Sequence, residues 1–273
     1  AASSSGSTTP SASPSPCLLY EYGRVRYQQA WNWQQELLRR RLDAVAAASA
    51  AEAGAEGEAA ARAAFPDVTL ITEEQSDSHA LSARTFLIVD PLDGTKEFLK
   101  RNGEFTVNIA LIRDGAPVCG ALYAPAFGRL WVSAGSHALT CDLSPGEKVP
   151  PLGGMRAIRV RPLDGRRPLA AISRSHLNAE TEALMRKLGA GETRQAGSAM
   201  KFCLIAEGRA DVYPRIGPTM EWDIAAGDAV LRAAGGMVTT LDGKPLRYGR
   251  KEAGFASPDF VAFGDTAQIA RLA

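Results

Sequence analysis

Short apolar runs bounded by turn residues fill the chain from Asp67 onward, and such runs are typical of buried strands. They predict strands over residues 68–72, 86–90, 105–112, 116–124, 129–134, 157–161 and 168–173. The Arg113-Asp114-Gly115 segment predicts a hairpin between the third and fourth of these runs. Helical patterns follow at about 178–189, 198–207 and 223–234. Strands that first cluster and then alternate with helices favour layered α/β sheets over a helix bundle or a barrel.

The N-terminal part of the chain has a different composition. Residues 1–16 contain no charge and no large apolar side chain, so we expect a disordered, low-complexity tail over 1–27. A Ser- and Ala-rich start is also typical of organelle transit peptides, which leaves cytoplasmic and organellar locations open. Residues 28–65 are predicted to be helical and Ala-rich, with 44–64 as either a helix end or a flexible insertion. We therefore place the globular domain at 66–273.

Composition excludes several classes of protein. The 273 residues carry 31 basic and 30 acidic side chains, a balance that argues against a nucleic-acid-coating surface. No apolar run approaches the roughly 18 residues that span a bilayer, so we expect no membrane contact. Four cysteines and three histidines are too scattered for a disulfide scaffold or a zinc site, and we expect a reducing compartment. Any bound metal would therefore need oxygen ligands.

Two acidic residues follow a buried strand, where charge is expensive. Asp90 ends an apolar run at Pro91, and Asp93 precedes a Gly94 turn and a predicted first helical turn at 95–98. Two carboxylates this close raise each other's pKa unless a cation neutralises them. The alternative is that Asp93 only caps the helix while Asp90 faces water.

Acids in two further segments strengthen the case for a metal site. Glu73 and Glu74 directly follow the strand at 68–72, and Asp223 opens the helix predicted at 223–234. Strand ends often meet at one edge of an α/β sheet, where ligands bind. Taken alone, Asp223 is an ordinary capping residue. Together the three segments predict an all-oxygen cluster of the kind that binds Mg²⁺.

Several longer stretches resemble a known family: TEEQ at 72–75, residues 89–112, SRSH at 173–176, residues 197–219 and WDIAAG at 222–227. D-P-L-D-G-T followed by W-D-x-A-A-G is similar to the inositol monophosphatase superfamily. Lys-Glu-Phe after the motif Thr, with the later G-S-x-x-K-F and Y-P-R, resembles its CysQ-like 3′(2′),5′-bisphosphate nucleotidase branch. The resemblance extends from about residue 66 to about 263.

The resemblance implies an αβαβα sandwich and makes 66–273 a metal-dependent phosphatase domain. The implied reaction removes the 3′-phosphate of adenosine 3′,5′-bisphosphate, a by-product of sulfur assimilation, to give AMP and phosphate. Two or three Mg²⁺ ions and sensitivity to lithium are implied as well. The partner is then a small nucleotide, and the chain is a monomer or a homodimer. An inositol phosphate phosphatase is the closest alternative.

Site residues follow from the same motifs. The implied metal ligands are Glu73, Asp90, the main-chain carbonyl of Leu92, Asp93 and Asp223. Catalytic roles are implied for Glu73, Asp93 and Thr95. Substrate contacts are implied for Gly94, Thr95, His176, Ser198, Lys201, Arg215 and Asp223. Local alternatives stay open for three of them: Ser198 as a helix N-cap, Lys201 as a solvated helix residue, and His176 as a strand-end polar group.

One family feature is missing. Members carry a Thr-x-Ala-Asp segment whose Asp accepts a hydrogen bond from the motif Thr, and the two orient the attacking water. The corresponding stretch here reads Gln28-Gln29-Ala30-Trp31, so Thr95 would lack that partner. We expect a rate loss on the order of 10²–10⁴-fold. A catalytically impaired homologue that still binds metal and nucleotide is therefore a further alternative.

Overall fold

The computed structural model describes residues 61–174 and 177–272. The predicted tail at 1–27, nearly all of the predicted segment at 28–65, and His176 lie outside these residues. Residues 61–64 are helical, and the chain then enters the first sheet.

The first sheet contains seven strands whose spatial order follows the chain. They are β1 (Thr69–Thr72), β2 (Thr85–Asp93), β3 (Thr106–Arg113), β4 (Ala116–Ala124), β5 (Arg129–Ala134), β6 (His137–Asp142) and β7 (Arg156–Ile158). Strands β1 and β2 pair in parallel, and every later pair is antiparallel. The parallel pair matters for the site because both of its strands end at the same edge.

The second sheet has five strands in the order β11-β12-β10-β8-β9. They are β8 (Leu169–Ser173), β9 (Glu192–Ala196), β10 (Val212–Arg215), β11 (Met237–Thr240) and β12 (Phe260–Phe263). Strand β8 pairs in parallel with β9 and β10, while β12 runs antiparallel to β10 and β11. The sequence patterns predicted β8 but not the other four strands.

Four α-helices complete the described fold: α1 (Thr95–Leu99), α2 (Ala179–Leu188), α3 (Met200–Ala206) and α4 (Glu221–Ala233). Helices α3 and α4 share one apolar core with residues of both sheets, so they form the layer between the sheets. Leu188 of α2 packs with Ile172 and Val261 on the outer face of the second sheet. This succession of layers is the α/β sandwich that the sequence predicts. None of the described helices has the length and apolar character needed to cross a membrane.

Two predicted element boundaries are wrong at the start of the site. Strand β2 does not stop at Pro91 but continues to Asp93 through a pairing irregularity, because a bulge tolerates a residue that lacks an N–H. Helix α4 begins at Glu221, so Asp223 is not its first residue. The Asp223 side chain instead accepts the Met220 N–H at the start of the helix, as the third residue of a capping box does.

A glycine in β4 sets the distance between the first sheet and α4. A Cβ added at Gly120 would lie 2.7 Å from the carbonyl oxygen of Ala226 and 2.8 Å from Cβ of Ala229. Only a residue without a side chain lets the helix backbone lie so close to the strand. Because α4 carries Asp223, this contact also determines where that carboxylate lies.

We expect Gly120→Ala to destabilise the fold by about 1–3 kcal/mol, since the added methyl group meets buried backbone that cannot move aside. Urea unfolding monitored by circular dichroism measures the change. Gly153→Ala is the matched control, because a Cβ at Gly153 would meet nothing within 4 Å. Equal stabilities of the two variants would contradict the close packing of α4 on β4.

Candidate active site

Three carboxylates from distant parts of the sequence meet at one edge of the first sheet. Thr72 of β1 lies opposite Val89 of β2, and the Glu73 N–H donates to the Val89 carbonyl at 3.2 Å. This register places Glu73 beside Asp90, and α4 adds Asp223. Carboxylate oxygens of Glu73, Asp90 and Asp223 lie within 4.8 Å of one another. The structure thus brings together the three acidic segments that the sequence singles out.

Hydrogen bonds from the main chain and from side chains fix one carboxylate oxygen of Asp90 and one of Asp223. Oδ1 of Asp90 accepts the Leu92 N–H at 2.9 Å. Oδ2 of Asp223 accepts the Thr219 hydroxyl at 2.8 Å and the Met220 N–H at 2.9 Å. Oδ2 of Asp90 is buried and has no hydrogen-bond partner within the described part of the chain. Such an orphaned oxygen is costly unless something outside the described residues satisfies it.

Burial disfavours the charged forms of these acids. The pKa of Asp90 is raised well above its ordinary value by desolvation and by the charges of Asp93 and Glu73. Burial also raises the pKa of Glu73, and burial together with Asp93 raises the pKa of Asp223 to about 6. Asp90 is only 1% exposed, so the alternative in which it faces water is wrong. The cluster is therefore suited either to hold protons or to surround a cation.

Asp93 lies next to this group and is anchored to a different segment. Its Oδ2 accepts the Ser198 hydroxyl at 2.5 Å and the Ala199 N–H at 2.6 Å. The N-cap of α1 is Gly94, without a side-chain capping bond, so Asp93 does not cap that helix. Instead it joins the end of β2 to the turn that precedes α3.

The turn after Asp93 needs glycine for two reasons. Gly94 has φ +91°, in the left-handed region, and a Cβ there would lie 3.1 Å from the Glu104 carbonyl oxygen. The hydroxyl of Thr95 donates to the Leu92 carbonyl at 3.4 Å. N–H groups at the start of a helix favour an anion, because they can donate hydrogen bonds to it.

A cavity of about 240 Å³ opens beside the carboxylates. Its lining includes Asp93, Gly94, Thr95, Ser198, Lys201, Tyr213, Arg215 and Asp223. All of the predicted substrate contacts that fall within the described residues therefore border one cavity. His176, the remaining predicted contact, is not among the described residues.

The two cationic side chains predicted to meet substrate have different surroundings. Lys201 is 4% exposed, which rules out a solvated helix residue, and its Nζ donates to the Ser198 carbonyl at 2.5 Å. Burial lowers the pKa of Lys201 to about 8. Arg215 donates from Nη2 to the Pro218 carbonyl at 2.6 Å, while its buried Nε has no partner among the described residues. Arg215 thus lines the cavity with one donor unsatisfied by the described residues.

Ser198 has a strained backbone conformation just before the start of α3. Its φ is +53°, which is uncommon for a residue with a side chain. The N-cap of α3 is Ala199, so the alternative role of Ser198 as that cap is wrong. The preceding Gly197 allows close approach, because a Cβ there would lie 2.7 Å from the Glu104 carbonyl oxygen.

Sequence reasoning missed several residues that border the site. Nε2 of His79 lies 2.8 Å from the Thr72 carbonyl, and its ring stacks on Trp222 at 5.0 Å. Asn108 and Thr106 contact Asp93 from β3. The last two carried a visible signal, since they are polar residues two apart in the apolar run at 105–112. No local pattern marked His79.

Comparison with known proteins agrees with this geometry. The sequence model of the inositol monophosphatase family matches residues 29–270, a longer range than the motifs cover. The 3′(2′),5′-bisphosphate nucleotidase CysQ of Escherichia coli (strain K12) is 46% identical over 197 residues, which are 71% of this chain and 75% of that protein.

Solved structures are similar as well. The crystal structure of CysQ from Bacteroides thetaiotaomicron, described as a bacterial member of the inositol monophosphatase family, has a TM-score of 0.72 and 33% identity. The match covers 86% of this chain and 98% of that one. An IMPase/NADP phosphatase complexed with Mg²⁺ and phosphate shares the fold, with a TM-score of 0.62, 19% identity and coverage of 79% and 76%. The predicted resemblance and fold class are confirmed: the chain belongs to the inositol monophosphatase family.

Proposed function

We propose that this chain is a Mg²⁺-dependent 3′(2′),5′-bisphosphate nucleotidase that converts adenosine 3′,5′-bisphosphate to AMP and phosphate. The observation that carries the proposal is the cluster of Glu73, Asp90 and Asp223 beside a cavity that holds Arg215. Carboxylates would bind the metal, and the guanidinium would bind a second phosphate. The bisphosphate nucleotidases among the relatives support the same activity.

The acidic cluster has the chemistry of a magnesium site. Its donors are carboxylate oxygens, which Mg²⁺ prefers, and Oδ2 of Asp90 is a buried acceptor without a donor in the described structure. We assign Glu73, Asp90, the main-chain carbonyl of Leu92, Asp93 and Asp223 as ligands of two or three Mg²⁺ ions. Bound magnesium would supply an activated water and would neutralise charge on the leaving oxygen.

The turn after Asp93 would receive the phosphate that is hydrolysed. The N–H groups of Gly94 and Thr95 begin α1 and favour an anion through hydrogen bonding and the helix dipole. We assign Thr95 and Glu73 to orient the attacking water. We assign Asp93 to fix the start of the turn that would bind the phosphate.

Recognition of a second phosphate would separate nucleotide from inositol substrates. Arg215 can present two parallel N–H donors to a phosphate, and its buried Nε has no partner among the described residues. Lys201 adds positive charge from below the Ser198 turn. We assign Ser198, Lys201, Arg215 and His176 to contacts with the nucleotide. Asp223 would contact its ribose.

The impaired-homologue alternative depends on the segment at 28–31, which the described residues do not include. It predicts nucleotide binding without turnover, whereas the nucleotidase proposal predicts both. Calorimetric titration with adenosine 3′,5′-bisphosphate, run beside a phosphate-release assay, separates the two. Competition by inositol 1-phosphate in the same assay tests the inositol phosphatase alternative.

We expect Mg²⁺-dependent phosphate release from adenosine 3′,5′-bisphosphate to fall by about 10²-fold or more in Asp90→Asn, because the buried charged ligand of the cluster is lost. Steady-state phosphate release measures the loss. Asp142→Asn is the control, since the Asp142 side chain is 92% exposed and forms an ion pair with Arg129 of β5 rather than joining the carboxylate cluster. Wild-type chain that releases no phosphate at saturating Mg²⁺ would sink the proposal.

Arg215→Gln should raise KM for adenosine 3′,5′-bisphosphate by about 10–100-fold, because a charge-assisted hydrogen bond contributes roughly 1.5–3 kcal/mol. KM for adenosine 3′-monophosphate, which lacks the 5′-phosphate, should change little. Initial rates with both substrates test the difference. Equal losses for the two substrates would place Arg215 at some other part of the ligand.

Metal-free protein should lose stability as pH rises through about 6. Asp223 has a raised pKa of about 6, so the folded chain binds its proton more tightly than the unfolded chain does. That contribution is complete below the ordinary carboxyl pKa and disappears as pH rises through the folded value. In EDTA, we expect Asp223→Asn to reduce the loss between about pH 5 and about pH 8 by on the order of 1–3 kcal/mol.

Urea unfolding of both proteins across this pH range measures the effect. Glu221, whose pKa burial raises to about 7, is present in both proteins and cancels in the comparison. Identical pH dependence in the two proteins would show that ionisation of Asp223 does not cause the loss of stability.

A further inference from the structure

Strand β3 carries two buried polar residues beside the aspartates of the site. Thr106 and Asn108 are 0% and 1% exposed, and both lie on one face because they are two apart. In the β2–β3 pairing Thr106 lies opposite Asp93, and Asn108 lies opposite Asp90. Their neighbours in the strand, Val107 and Ile109, are apolar and buried. Buried polar side chains are retained at a cost unless their hydrogen bonds are used.

The hydrogen bonds of both residues lead to one oxygen atom. Asn108 donates from Nδ2 to Oδ2 of Asp93 at 3.2 Å, and the Thr106 hydroxyl lies 3.3 Å from the same oxygen. The Thr106 hydroxyl also lies 2.9 Å from Oδ1 of Asn108 and 2.5 Å from the Ser198 hydroxyl. Ser198 in turn donates to Oδ2 of Asp93. The four side chains therefore form one connected network.

Counting protons gives the network a direction. The Asn108 amide can only donate from Nδ2, so that bond points to Asp93. If Thr106 donates its single proton to Oδ2 of Asp93, Ser198 donates its own across the short contact to Thr106. If Thr106 instead donates to Ser198, the chain runs from Thr106 through Ser198 to Asp93. In both arrangements Oδ2 of Asp93 is the final acceptor.

The consequence concerns which Asp93 oxygen is free for a metal. Oδ2 also accepts the Ala199 N–H, so donors surround it on the side of the Ser198 turn. All the hydrogen bonds described for the Asp93 carboxylate fall on this oxygen, which leaves Oδ1 for the cluster. Donors of this kind orient a metal-binding carboxylate and tune its affinity.

We propose that Thr106 and Asn108 are positioning residues that hold Asp93 as a one-oxygen metal ligand by engaging its Oδ2. The inference rests on the proposed function, since it assigns Asp93 to Mg²⁺. It goes beyond the ligands themselves, because neither residue is among the assigned metal ligands or substrate contacts. A purely structural role, in which the two residues only join β3 to the Ser198 turn, is the competing explanation.

The test measures Mg²⁺ affinity directly, by calorimetric titration of the full chain without substrate. Thr106→Val keeps the shape of the side chain and removes its hydroxyl, and Asn108→Leu removes the amide at similar size. We expect each to weaken Mg²⁺ binding by about 10–100-fold, with Thr106→Ser restoring wild-type affinity.

Thr140→Val is the matched control. Thr140 is 1% exposed in β6 of the same sheet, and its hydroxyl also makes buried hydrogen bonds, to the Leu130 carbonyl and from Arg129. We expect this variant to lose stability in urea but to bind Mg²⁺ like the wild type. Loss of stability without loss of Mg²⁺ affinity in Thr106→Val would overturn the proposal, and so would equal losses of affinity in Thr106→Val and Thr140→Val.

The titration also separates this inference from the proposed function. Wild-type chain that binds Mg²⁺ but releases no phosphate refutes the nucleotidase activity, and the affinities of the variants still decide the role of Thr106 and Asn108. Wild-type chain that binds no Mg²⁺ overturns both.

Discussion

Repulsion among closely spaced carboxylates, of which Asp90 is buried, is the constraint on which the rest of the site depends. Glu73, Asp90 and Asp223 come within 4.8 Å of one another, and burial raises the pKa of each. Such a group is unfavourable in a metal-free fold, so surrounding packing must hold it together. The parallel β1–β2 pair fixes two of the acids, and the close contact of α4 on Gly120 fixes the third. The fold thus supplies the energy that keeps the cluster assembled.

The hydrogen bonds around the cluster fall on only one of the two carboxylate oxygens of each aspartate described here. Asp90 is fixed through Oδ1, whereas Asp93 and Asp223 are fixed through Oδ2, and in each case the donors lie within the protein. Rigid carboxylates lose little freedom when they bind a cation, which preorganises the site. Main-chain N–H groups contribute to it from the irregular end of β2, at Leu92, and from the N-caps of α3 and α4, at Ala199 and Met220.

The sequence predicted the site better than it predicted the second sheet. Asp90 and Glu73 were recognisable because an acid directly after an apolar run is rare, and a strand pairing brings them together. Strand β9 was missed because four of its five residues are exposed and polar, so no alternation marks it. The roles of Thr106 and Ser198 depend on a contact across 92 residues, which no local pattern contains. The sequence therefore predicted the acidic residues of the site but not the residues that orient them.

The two cations at the cavity differ in what their surroundings leave them free to do. Lys201 is buried, its Nζ is engaged by main-chain carbonyls, and burial lowers its pKa to about 8. Such a group holds the Ser198 turn and adds a charge that weakens as pH rises through about 8. Arg215 has an Nε without a partner among the described residues. Selection of a second phosphate would therefore depend mainly on Arg215, with Lys201 acting through the turn that also anchors Asp93.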